Sequence, residues 1–297
     1  MTTEEVSPRF DTLDRWPTAD VVDALTGGQL AAAAVVHAAR ATLVEAADAA
    51  ARRLAEGDGR LVYVGAGTSG RLAVQDGVEL VPTYGWPEAR LLYLLAGGEA
   101  ALLRSVEGAE DDAAAARAAA EGHALGPADV VIAVAASGRT PFAVAATEAA
   151  GAAGALTIAL ANTVPAALLE AAAHPIPLAT GPEVVAGSTR LAAGTAQKAA
   201  LNTLSTAIMV RLGRTHDNLM VDVAARNTKL DARRVAMVRR ITGAARAAAE
   251  DALLAADGHV KTAVLVVAGD DPATAKARLA RHRGHLRAAL AERDACR

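Results

Sequence analysis

A chain of 297 residues that is 53 % hydrophobic can fill one large core, or one core with a small appendage. Aromatic residues make up only 2 % and the net charge is −3, so the stacking platform of a single-strand binder and the basic footprint of a DNA binder are both missing, and no nucleic-acid partner is expected. The one cysteine, Cys296, cannot close a disulfide within the chain, and no Cys/His spacing suits a metal.

In chain order, residues 1–27 are polar and carry Pro8, Pro17 and Gly27, which predicts an irregular N-terminal arm with one short helix. The start lacks the basic and apolar regions of a secretory signal. No apolar run of membrane-spanning length is free of charges or turn residues, so a cytoplasmic protein with no membrane partner is expected. Leu30 to Leu54 is alanine-rich with helical spacing, ended by Gly57 and Gly59. Arg60–Gly65 is a short apolar run closed by glycine, which predicts a buried parallel strand. Similar runs recur at Leu91–Leu95, Val130–Ala135, Leu156–Leu160 and Ile176–Leu178, with helical patterns between them. This alternation predicts an α/β fold, a three-layer sandwich around a parallel sheet, whose ligands bind along the edge formed by the strands' C-terminal ends. A long helical pattern runs from Gly187 to Leu212, and a polar stretch from Gly213 to Lys229. The organisation expected is therefore an arm over 1–27, a main domain over 28–234 and a small C-terminal helical subdomain over 235–297. The basic segment Arg278–His285 reads as a solvated helix end.

Three polar loops could carry chemistry. The first strand runs into Gly65-Ala-Gly-Thr-Ser-Gly-Arg71, where glycines let the backbone approach an anion and Thr68 and Ser69 add hydroxyls at a helix N-terminus. Alone, this loop is equally a tight turn, and Gly65, Gly67 and Gly70 also fit the dinucleotide pattern G-x-G-x-x-G. The third long strand runs into Ala136-Ser-Gly-Arg-Thr-Pro141, which repeats the device with Ser137, Gly138 and Thr140; Pro141 suits a first helical turn. Two such loops on neighbouring strands would converge on one ligand, which favours a phosphorylated sugar over a dinucleotide. In Gly181–Arg190, Gly187, Ser188 and Thr189 read as a helix cap, a ligand contact, or both. Glu79, in apolar company, and Glu110, in an acidic cluster, read by residue type alone as solvated surface.

Together the segments Gly65–Arg71, Glu107–Asp112, Ser137–Pro141, Gly187–Leu191, Gly194–Lys198 and Asn218–Asp222 resemble, in order, the N-acetylmuramic acid 6-phosphate etherase family. The resemblance runs from about residue 57 to the C-terminus and includes Val260–Ala263 and Ala275–Leu279. It implies the sugar-isomerase (SIS) fold, no metal or organic cofactor, a phosphorylated amino sugar as ligand, and a homodimer with its active sites near the interface. It also implies cleavage of the lactyl ether by elimination and then hydration, giving N-acetylglucosamine 6-phosphate and D-lactate. By motif position Glu79 corresponds to the acid that protonates departing lactate and Glu110 to the base that removes the carbon 2 hydrogen; an apolar pocket would keep such an acid protonated. The substrate-binding residues implied are Thr68, Ser69, Ser137, Gly138, Thr140, Ser188 and Thr189. The chain departs from the family pattern at Val6, Ser7, Phe10, Leu80, Val81, Phe142 and Ala192, which removes one Lys and one Arg. Those departures open the alternative of an etherase-like enzyme for another phosphorylated sugar. The other alternative is a non-catalytic sugar-phosphate regulator, as in the related glucokinase regulatory protein.

Overall fold

The computed structural model of the chain describes residues 2–223 and 228–295; Cys296 lies outside them. Two 3-10 turns, Pro8–Phe10 and Leu13–Arg15, precede helices α1 (Thr18–Ala38) and α2 (Arg40–Ala55). The irregular arm expected over 1–27 is thus shorter. Pro17 stands immediately before the helix, and Gly27 and Gly28 lie inside it. Each mid-helix glycine costs about 1 kcal/mol relative to alanine, which does not stop a helix supported on both sides by good helix formers.

All five apolar runs form strands: β1 (Leu61–Gly65), β2 (Leu91–Leu95), β3 (Val130–Ala135), β4 (Leu156–Ala161) and β5 (His174–Pro177). The fifth starts two residues earlier than expected. The sheet is parallel throughout, in the order β2-β1-β3-β4-β5. The connections are α3 (Gly67–Tyr84) between β1 and β2, α4 (Ala113–Gly122) before β3, α5 (Pro141–Ala152) before β4, and α6 (Ala167–Glu170) before β5. After β5 comes α7 (Ala192–Arg211).

Helices cover both faces, so the strands are continuous apolar runs rather than alternating ones. Val62, Val64, Val131 and Ala133 pack with α4, α5 and α6 through Ala116, Ala120, Phe142, Ala146 and Leu168. On the other face α2 packs against β3, β4 and β5, and Tyr63 of β1 donates a 2.7 Å hydrogen bond to Asp76 of α3. Asp76 is buried and also accepts from Asn202 (2.5 Å) and Ser205 (3.1 Å) of α7. These bonds tie α3 and α7 to the sheet.

The chain divides into two compact units. One comprises Met1–Gly77 and Ala89–Ala207; the other comprises Val78–Glu88 and Ile208–Arg297. The second holds α8 (Thr228–Thr242), α9 (Arg246–Ala255), α10 (Val260–Val267), α11 (Pro272–Arg281) and α12 (Leu286–Ala295). Its core includes Val238, Ala249, Val260, Val264, Leu265 and Leu286. Lys261 is buried there and its three donors are all used, on Asp222 (2.6 Å) and on the carbonyls of Gly213 (3.0 Å) and Gly284 (2.9 Å). Arg278 is not the solvated helix end expected from its basic neighbours. It is buried, because Asp270 (2.9 Å) and Glu292 (2.8 Å) pair with its guanidinium.

Candidate active site

In a sheet of this order the chain leaves β1 toward β2 on one side and returns to β3 on the other. The C-terminal ends of β1 and β3 therefore flank the switch point, where open α/β sheets bind ligands. Gly65 pairs with Val134 in the ladder, so the two glycine-and-hydroxyl loops leave from adjacent strand ends.

The first loop is as tight as its glycines allow. A Cβ on Gly65 would stand 2.8 Å from the Gly70 Cα, and one on Gly70 would stand 2.9 Å from the Gly65 carbonyl carbon. Strand and helix thus touch backbone to backbone, and α3 starts only two residues after β1 ends. Its free N-terminal amides lie at the sheet edge, where the helix dipole favours an anion. Ser69 is buried and Thr68 half-buried.

In the second loop Gly138 has a positive φ of 62°, and a Cβ there would meet Ala166 at 2.4 Å, so glycine is required. The Ser137 hydroxyl accepts from the Arg139 amide at 3.2 Å. Thr140 stands at the N-cap of α5 with Pro141 in the first turn, yet its side chain makes no capping bond. Both hydroxyls are half-buried.

The third loop departs from expectation. Ser188 and Thr189 do not cap the long helix, which starts at Ala192. Buried Glu183 caps it instead, its two carboxylate oxygens each accepting one amide, from Ala192 and Ala193, both at 2.9 Å. In the turn before the helix, the Ser188 carbonyl accepts from the Leu191 amide and the Thr189 carbonyl from the Gly194 amide. The third loop still adjoins the first. A Cβ on Gly194 would lie 3.2 Å from the Thr189 carbonyl and 3.8 Å from Thr68 Cγ2. Glu4, from the N-terminal arm, approaches Gly187 in the same way, at 3.3 Å.

A cavity of about 380 Å³ opens beside the first loop. Its walls include Thr68, Arg71, Arg104, Ser105, Glu107 and Glu110, so Glu110 shares one space with the first loop. Arg71 is held by its Nε donating to the Ala101 carbonyl at 2.9 Å. Ser69, Ser137, Gly138, Thr140, Ser188, Thr189 and Glu79 do not line this cavity. Glu79 is exposed on α3, within the second compact unit, and neighbouring Val78 is 46 % exposed. The apolar surroundings expected around Glu79 are thus sequence neighbours only; of them Leu80 alone is turned fully inward.

Two departures from the family pattern have local explanations. Phe142 is buried in the core between sheet and α5, where a ring without a hydroxyl is well placed. Ala192 is the first residue of α7 and is itself buried, its amide on Glu183. Sequence reading missed Glu183, Asp76 and the Asn162–Gln197 pair, in which Gln197 donates to Asn162 at 2.8 Å. Gln197 belongs to the Gly194–Lys198 motif, so that segment locks α7 against the end of β4.

Residues 42–170 match the family model of the glucokinase regulatory protein N-terminal SIS domain. An N-acetylmuramic acid 6-phosphate etherase of Deinococcus radiodurans is 51 % identical, over 99 % of this chain and 96 % of its own length. One from Streptomyces coelicolor is 49 % identical, over 98 % of this chain and 94 % of its own. One from Vibrio vulnificus is 41 % identical, over 98 % and 97 %. Among solved structures, a phosphoheptose isomerase from Francisella tularensis is similar over 66 % of this chain and 98 % of its own, with 16 % identity and a TM-score of 0.45.

Proposed function

Since the chain belongs to the N-acetylmuramic acid 6-phosphate etherase family, we propose that it cleaves the lactyl ether of N-acetylmuramic acid 6-phosphate to N-acetylglucosamine 6-phosphate and D-lactate. Full-length identity of 39–51 % to relatives of that name supports the enzyme over a non-catalytic regulator. The observation that supports the reading is that two glycine-and-hydroxyl loops leave hydrogen-bonded strands β1 and β3, and that the first of them shares a cavity with the Glu110 carboxylate. In our reading the loops form a phosphate cradle and Glu110 is the general base.

The chemistry follows from the substrate. Ring opening exposes an aldehyde at carbon 1 and acidifies the hydrogen on carbon 2. Glu110 removes that hydrogen, Glu79 protonates the ether oxygen, and lactate leaves carbon 3 with that oxygen. Water then adds at carbon 3 of the unsaturated aldehyde. Each proton transfer contributes about 10²–10⁴-fold. No step calls for a metal or organic cofactor. Ser69, Ser137 and Thr140, with the amides around Gly138, hold the phosphate; Thr68, Ser188 and Thr189 contact the sugar.

Both carboxylates are exposed in the single chain. An acid that must stay protonated near neutral pH needs desolvation. We therefore place the active site near the interface of a homodimer, in which a second copy excludes water from Glu79. The compartment is the cytoplasm. Incubation with N-acetylmuramic acid 6-phosphate should release stoichiometric D-lactate; binding of the sugar phosphate without release would favour the regulator.

A further inference from the structure

Helix α1 is long and apolar enough, by length and composition, to cross a membrane, yet only 11 % of its most apolar 18-residue window is buried. Its inner side sets Ala32 and Val36 into the core. Its outer side leaves Val22 (52 %) and Leu30 (75 %) in water, with Gly27, Ala31, Ala33 and Ala34 also exposed. A cavity of about 400 Å³ beside it, lined by Val36, Leu43, Val44 and Ala199, continues the apolar surface. An exposed apolar face of this kind is a candidate docking surface.

We propose that a second copy of the chain docks there, its α1 lying antiparallel across the first, with a two-fold axis passing midway between Gly28 and Gln29. The inference rests on the homodimer reading above and adds its surface and geometry. A two-fold interface must be self-complementary, and α1 is. Its acidic residues, Asp20 and Asp23, lie in its first half, and His37 lies at its end with Arg40 just beyond. About that axis Asp20 faces the partner's His37, and the helix dipoles oppose. The same register sets Leu30 opposite the partner's Gly27. A Cβ at Gly27 has nothing within 4 Å, so the gap there is open to receive a leucine side chain. A lipid surface suits α1 less well, because interfacial helices carry Lys and Arg on their polar face and Thr18–Ala38 has neither.

The test is sedimentation equilibrium on the full chain. The unaltered protein should have a mass of about 60 kDa, twice the 30.0 kDa chain. Leu30→Glu should weaken association at least about tenfold, a loss of about 1.4 kcal/mol, with an unchanged circular dichroism spectrum. If both proteins are dimers of equal strength, this face is wrong while the homodimer reading stands. A monomeric unaltered protein overturns both, and a monomer that sediments with phosphatidylcholine–phosphatidylglycerol vesicles assigns the face to lipid instead. Should Leu30→Glu fail to fold, mixing Gly27→Cys with Leu30→Cys, both in a Cys296→Ser background, gives the same answer. The mixture should form an interchain disulfide more readily than either variant alone. Readier cross-linking of Gly27→Cys with itself contradicts the antiparallel register.

Discussion

Ser137 and Thr140 are the hydroxyls proposed to hold the phosphate. Neither hydroxyl caps α5, and both stay half-buried at the end of a buried strand. Ser137→Ala and Thr140→Ala should each weaken binding of N-acetylglucosamine 6-phosphate by roughly 1.5–3 kcal/mol, the usual loss for a hydrogen bond to a charged group. Isothermal titration measures it, and unchanged affinity in both variants removes them from the phosphate site. The two carboxylates are proposed to divide the chemistry between them. Enolate formation needs only a base, whereas breaking the ether also needs a proton for a poor alkoxide leaving group. Glu110→Gln should therefore abolish exchange of the carbon 2 hydrogen with heavy water as well as lactate release. Glu79→Gln should stop lactate release and keep the exchange. Proton NMR of the substrate in heavy water reads both, and full turnover in either variant shows that residue to be a bystander. Both glutamates are assigned by motif position and neither by residue type, since an exposed glutamate on a helix or in an acidic turn looks the same whether or not it reacts.

The elements were legible wherever periodicity was strong. The five apolar runs closed by glycine or hydroxyl residues became the five strands, because a strand buried on both faces has no polar alternation to obscure it. Helix starts were read less well. Ser188 and Thr189 resemble caps, but the cap of α7 is Glu183, nine residues before the helix, brought there by the loop after β5. No local pattern encodes a cap supplied from that distance. Nor does the sequence mark the clamp between β1 and β3. There Asp129 accepts the Arg60 amide (2.9 Å), the Arg60 Nη2 (2.7 Å) and the Gly126 amide (3.0 Å). Burial alone would raise the Asp129 pKa, but these hydrogen bonds and the Arg60 charge outweigh it and hold the carboxyl below its ordinary 3.8. A carboxyl whose pKa is lower in the folded state adds stability above its unfolded value, and that stability is lost as pH falls through the folded value. Asp129→Asn should therefore lower stability at pH 7 by about 1–3 kcal/mol and flatten the decline on acidification. Urea denaturation at pH 7 and pH 3 checks this; parallel curves for variant and parent contradict it.

At the scale of the molecule, alternation of strand and helix predicted a parallel sheet but not its order. The position of β2 outside β1 is what puts the first and second loops side by side. Contacts of that kind are non-local, as are the Asp76 bonds to α7 and the seating of Lys261 among Asp222, Gly213 and Gly284. The exposed apolar face of α1 was hidden for another reason. Alanine-rich spacing announces a helix without saying which side is covered, or by what. Elimination and rehydration at carbon 3, as proposed, break the sugar-side carbon–oxygen bond. Turnover of N-acetylmuramic acid 6-phosphate in ¹⁸O-labelled water, followed by mass spectrometry of both products, tests this most directly. The label should enter N-acetylglucosamine 6-phosphate at carbon 3 and be absent from the lactate ether oxygen; label in that lactate oxygen, with none at carbon 3, would contradict the account.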